Sequence, residues 1–105
     1  MAAFVIERKD QQGFIKLTGD LTATGVPELQ SGLKEALDGG VRELVFDLAS
    51  TSMLDSSGIG LLIAASNSLS RSGGKVRVTN ASQDILHLLQ SMRLVVRLNA
   101  SGRAG

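Results

Sequence analysis

The sequence contains no cysteine. Disulfides and thiol catalysis are therefore excluded, and a reducing compartment is the natural setting. Tyrosine and tryptophan are also absent, and phenylalanine occurs three times. The core must then be built from Leu, Val, Ile and Ala, and no aromatic platform exists on which single-stranded nucleic acid could stack. One histidine, His87, leaves no second imidazole for a transition-metal site. A surplus of one charge is missing too. Eleven basic residues stand against ten acidic ones, a net charge of +1, so no strong field steers the chain to nucleic acid or to an anionic membrane. The longest apolar stretch runs from Ile59 to Ala65 and is interrupted by Gly60. That is far short of the roughly 20 residues that span a bilayer. Met1-Ala2-Ala3-Phe4 lacks the basic start and apolar core of a secretory signal. The expectation is a cytoplasmic protein with no cofactor, no metal, no direct nucleic acid contact and no membrane association.

What is present fits one domain. The chain has 105 residues, 43% of them apolar and 20% charged. Phe4 to Glu7 and the alternating Phe14-Ile15-Lys16-Leu17-Thr18 read as a hairpin around the polar turn Asp10-Gln11-Gln12-Gly13. Leu44-Val45-Phe46-Asp47-Leu48 is nearly continuous apolar, which predicts a central strand covered on both faces. Lys75-Val76-Arg77-Val78 and Leu94-Val95-Val96-Arg97-Leu98 supply a fourth and a fifth strand. Val26, Leu29, Leu33, Ala36 and Leu37 recur at helical spacing, with Pro27 and Glu28 in the first turn and Gly39-Gly40 at the end. A second helix is predicted from about Ser56 to Ser70, and a third from Ser82 to Met92. The order β-β-α-β-α-β-α-β implies an α/β fold: a single mixed, mostly parallel five-stranded sheet with three helices. The domain is expected over residues 1–99, with 100–105 as a flexible C-terminal tail.

One segment carries most of the functional signal: Leu54-Asp55-Ser56-Ser57-Gly58-Ile59-Gly60. Asp55 follows a strand and opens a helix, where an aspartate carboxylate accepts bonds from free backbone N–H groups. At about 100° per residue, Ile59, Leu62, Ile63, Ser66 and Leu69 form the core arc. Ser56 falls towards the edge of that arc, and Ser57 points away from it with Leu61, Ala64 and Ser68. No charged residue occurs from Ser56 to Ser70. An exposed helix face normally carries Lys and Glu, so this one is expected to contact another surface. The plain alternative is a helix buried on both sides, for which a chain of this size has little covering material. A phosphate on Ser57 would sit among helix N-terminal N–H groups, which tolerate anions. It would add about −1.5 to −2 charge to an uncharged contact face.

The run Met53-Leu54-Asp55-Ser56-Ser57-Gly58-Ile59-Gly60-Leu61-Leu62 resembles the STAS domains of bacterial anti-sigma factor antagonists. Leu17-Thr18-Gly19-Asp20-Leu21, Val45-Phe46-Asp47-Leu48 and Gly73-Gly74-Lys75-Val76 extend the likeness along nearly the whole chain. The likeness departs at Thr22, where the family often has a second acid. The resemblance implies an anti-sigma factor antagonist in a partner-switching circuit, not an enzyme. Its unmodified form would bind an anti-sigma factor that is also a serine protein kinase, releasing a sigma factor. Phosphorylation of the motif's second serine, Ser57, would end binding, and a PP2C-type phosphatase would restore it. Asp20, Asp55, Ser56, Gly58, Leu61, Ala64 and Ser68 would form the partner surface.

Other readings have less to stand on. A Ser-His-Asp triad would need His87 to arrive from the far helix, where the pattern turns it to solvent. Gly58 and Gly60 fall inside a helix pattern, and Ser72-Gly73-Gly74-Lys75 lacks Walker spacing. Asp47 fits strand alternation and Asp55 a cap, which disfavours a metal-binding pair. A non-switching STAS scaffold, as a subunit of a stress-signalling or lipid-transport assembly, remains an alternative. So does a binder of small anions at the helix N-terminus.

Overall fold

The structure, a computed structural model, describes residues 4–103. Strands β1 (Phe4–Lys9) and β2 (Gln12–Leu17) form an antiparallel hairpin turned by Asp10 and Gln11, with Asp10 in the left-handed region at φ 56°. Helix α1 (Val26–Asp38) leads to β3 (Glu43–Asp47), helix α2 (Ser56–Arg71) to β4 (Lys75–Ala81), and helix α3 (Gln83–Ser91) to β5 (Ala100–Gly102). The sheet order is β1-β2-β3-β4-β5, and every pair after the hairpin is parallel. This is the expected mixed, mostly parallel five-stranded sheet with three helices.

Each helix follows from its sequence. Pro27 and Glu28 open α1, and Leu29, Leu33 and Ala36 bury its apolar stripe. Beyond Gly39, Gly40 takes φ +94°, a conformation that glycine adopts without penalty. Ser82 caps α3 by accepting the Ile85 N–H at 3.1 Å.

Three parallel crossovers step in one direction along the sheet. Right-handed crossovers then place all three helices on one face. The burial pattern agrees. Ile15, Leu17, Leu44, Phe46, Val76 and Val78 lie between 0% and 2% exposed on the helix side. The opposite side of β3 carries Glu43, Val45 and Asp47, each half-buried, next to the exposed Phe14 and Lys16 of β2. Coverage of the central strand on both faces is therefore corrected: the run from Leu44 to Leu48 alternates, with Val45 as an apolar residue on the open side.

The fifth strand is also corrected. Val95 to Asn99 form turns, and Leu94 and Leu98 are both buried through an i, i+4 spacing closed by the Leu98 N–H to the Leu94 carbonyl at 2.9 Å. Val96, in the middle of the expected strand, is 88% exposed. The strand itself is Ala100–Gly102, inside the segment expected to be a tail. Its register, Ala100 on Val78 and Gly102 on Ala81, comes from pairing with β4, since Ala-Ser-Gly has little β preference of its own. Arg103 continues this anchoring: its guanidinium donates to the carbonyls of Ala49 at 2.9 Å and Asn80 at 3.2 Å. Residues 104 and 105 of the expected tail lie outside the described residues.

Candidate functional site

The Asp55-Ser56-Ser57 segment sits where the loop after β3 enters α2. Asp55 is the N-cap in an extended conformation, and one carboxylate oxygen accepts the Gly58 N–H at 3.0 Å. Its other oxygen accepts the Ala23 N–H at 3.0 Å. One side chain thus ties the helix start to the loop before α1. These backbone bonds, from Gly58 first and then Ala23, hold the Asp55 carboxyl below its ordinary value of 3.8.

The loop beneath is braced from β2's end. The Asp20 carboxylate accepts the N–H groups of Ser52 at 2.9 Å and Met53 at 3.0 Å. Thr51 is fully buried, and its hydroxyl donates to the Gly19 carbonyl at 2.9 Å. Leu21 and Leu54 pair as an isolated parallel bridge. Below them, Asp47 accepts from the Asn80 amide at 3.0 Å and the Ala49 N–H at 2.9 Å. The Asn80 bond, then Ala49 and Lys16, lower the Asp47 pKa against an opposing desolvation.

Both depressed carboxylates make acid stability testable. A group whose folded pKa lies below its unfolded value stabilises the fold above the unfolded pKa, and this is lost as pH falls through the folded pKa. The melting temperature is therefore expected to hold near neutrality and fall below about pH 4. Asp47→Asn and Asp55→Asn should each flatten that fall, measured by circular dichroism between about pH 2 and 7. An unchanged acid limb in both variants would show that other groups govern it.

The expected site residues are placed differently. Asp55, Ser56, Ser57 and Gly58 are brought together with Asp20 in one loop cluster. Ser56 is exposed and Ser57 half-buried, the reverse of the helical projection, because α1 and the loop at Ala23 close on that side of α2. Leu61, expected on the outer face, is 5% exposed. It lines a groove of about 300 Å³ between α2 and α1, together with Leu33 and Leu37. Ala64 and Ser68 are exposed on the α2 wall of that groove, and Lys34 and Asp38 stand on the α1 wall. Gly58 is buried with a packing reason: a Cβ there would lie 2.6 Å from the Leu21 carbonyl oxygen. Asp20 uses its carboxylate on the backbone of the loop before α2.

Met53 was not singled out by the sequence. It is 52% exposed at the rim of the cluster. No strand alternation runs through this loop, where Thr51 and Leu54 are buried and Ser52 and Met53 exposed, so spacing alone did not mark it. The bracing by Thr51 and Asp20 joins residues more than thirty positions apart, and no local pattern records it.

The two-layer α/β fold, helices on one face of the sheet, and the capped serine pair define a class. The chain belongs to the STAS domain family: the family model described as Mlab, STAS domain, matches residues 4–98. Among its relatives is the anti-sigma-B factor antagonist of Staphylococcus aureus, 29% identical over 87 residues, which are 81% of each protein. The same fold is found in the unphosphorylated anti-sigma factor antagonist SpoIIAA, with a TM-score of 0.75 at 22% identity over 92% of this chain and 98% of the other. The phosphorylated form of the Bacillus cell fate determinant SpoIIAA gives 0.78 at 24% identity, over 94% and 91%. A putative anti-sigma factor antagonist of Thermotoga maritima gives 0.86 at 16% identity, over 92% and 84%. These relatives are named as regulators. No helix among the described residues is long and apolar enough to cross a membrane.

Proposed function

We propose that this chain is an anti-sigma factor antagonist whose state is set at Ser57. In the unmodified state the α2 N-terminus, the Met53 rim and the exposed Ala64 and Ser68 dock on an anti-sigma serine protein kinase, which then releases its sigma factor. Transfer of a phosphoryl group to Ser57 ends that contact, and a PP2C-type phosphatase returns the hydroxyl.

The observation that carries the reading is the position of Ser57. It is the second residue of a helix whose preceding loop is already braced, on a helix without charge until Arg71. A phosphate there meets N–H groups and the positive end of the helix, so the fold tolerates it. The contact surface does not, because it gains a dianion with no basic residue on α2 before Arg71. Modification thus acts on binding and leaves folding alone. Relatives named as anti-sigma factor antagonists, one solved in both phosphorylation states, support the same assignment.

The test begins with an immobilised Ser57→Ala protein as bait in native cytosol. The captured partner, given ATP, should label wild-type protein and Ser56→Ala but not Ser57→Ala, with the phosphate mapped by peptide mass spectrometry. Label on Ser56 would overturn Ser57 as the switch residue, and a captured partner without kinase activity towards the chain would replace the switch with the non-switching scaffold.

A further inference from the structure

The face of the sheet away from the helices has a self-complementary charge pattern. Strand pairing arranges it in rows. The middle row reads Glu7, Phe14, Val45, Arg77 across β1 to β4, and the row nearest the carboxyl ends of β2, β3 and β4 reads Val5, Lys16, Asp47, Thr79. Val5 and Phe14 are 50% and 37% exposed, and a hollow of about 440 Å³ opens between them and Val45. In the middle row an apolar centre thus lies between an acid at one edge and a base at the other, and in the next row a base and an acid stand side by side at the centre.

We propose that this face is the interface of a reversible two-fold dimer of the chain, its axis parallel to the strands. Rotation about that axis keeps each row in place and reverses its order. Glu7 of each copy then meets Arg77 of the other, Lys16 meets Asp47, and Phe14 packs on Val45. A two-fold axis across the strands fails, because Glu7 would meet Glu7, Arg77 would meet Arg77 and Asp47 would meet Glu43. The charges therefore select one orientation. In the third row Gln12 faces Glu43, while Lys9 faces Lys75 at the rim, where solvent screens the repulsion and Lys75 already pairs with its own Glu43 at 3.8 Å. Four strands and three rows give a footprint of about 400 Å² on each copy. That is small for a specific interface, so association is weak and concentration-dependent. The strands of both copies run in the same direction, and both α2 N-termini leave from the same end of the pair, clear of the interface.

Sedimentation velocity tests the arrangement. Wild-type protein at about 0.5 mM should sediment mainly as a dimer and dissociate on dilution to about 5 µM. Glu7→Arg and Arg77→Glu should each weaken the dimer about tenfold, since each puts two like-charge pairs into it. An equimolar mixture of the two variants should recover it, because arginine at 7 and 77 in one chain then faces glutamate at both positions in the other. Circular dichroism checks that each variant is folded. Should Arg77→Glu unfold through loss of its 3.4 Å contact to Glu43, Lys16→Glu replaces it. That variant sets a carboxylate against the second copy's Asp47 and must weaken the dimer similarly. A wild-type monomer at 0.5 mM, charge variants that dimerise like wild type, or a mixture no better than its components would each overturn the proposal.

Discussion

Ser57→Asp is expected to weaken binding of the partner about 100-fold, and Ser57→Ala less than about threefold. Three effects of the new carboxylate compete. Its attraction to the α2 N-terminus favours it by about 0.3–1 kcal/mol, but in the free protein as much as in the complex. Repulsion from Asp55 acts across a half-buried site still open to solvent and is present in the free protein as well as in the complex. Desolvation on docking decides the outcome: an unpaired charge closed into a contact costs about 2–5 kcal/mol, and 100-fold in affinity corresponds to about 2.7 kcal/mol. Ser57→Ala removes only a hydroxyl from a half-buried position. Isothermal titration against the captured partner measures both variants. Tight binding by Ser57→Asp, with its melting temperature unchanged, would remove charge as the basis of the switch.

The two glycines beside the serines should respond to alanine with opposite signs. In a helix, alanine is favoured over glycine by about 1 kcal/mol. At Gly60 nothing lies within 4 Å of an added Cβ, so Gly60→Ala is expected to stabilise by about 0.5–1 kcal/mol. At Gly58 the added carbon meets the Leu21 carbonyl oxygen at 2.6 Å. That oxygen accepts the Asp55 N–H, and the Leu21 N–H donates to Met53, both at 3.3 Å, so neither strand of the bridge yields cheaply. Gly58→Ala is expected to cost about 2–3 kcal/mol, lowering the melting temperature by about 10–20 °C. It should also weaken partner binding, since relief comes by tilting α2 away from the Leu21 loop. Thermal unfolding of both variants is the check, and equal shifts of the same sign would show that the close approach to Leu21 carries no energetic weight.

Most of the architecture could be read from the chain because periodicity and punctuation agreed. Pro27, Gly39-Gly40 and Ser82 mark helix ends, and Leu29, Leu33 and Ala36 repeat at the helical period. The last strand could not be read, because Leu94 to Leu98 carries the β-branched residues and Ala100–Gly102 carries the pairing. Leu94 and Leu98 did hold a trace of the answer in their spacing of four, but five residues are too few to separate the two periods. At the site, Asp55 was legible as a cap, whereas the burial of Leu61 depends on where α1 lies. Single-sequence spacing places residues around one helix and says nothing of the neighbour that will cover them.

The bracing of the loop by Asp20, Thr51, Asp55 and Arg103 bears on time. A binding surface that is already assembled has no ordering step to wait for when a partner arrives, and no slow refolding when it leaves. A protein built this way keeps no memory of its last encounter. On the proposed reading, its output at any moment would follow the chemical state of Ser57 alone, without lag and without hysteresis.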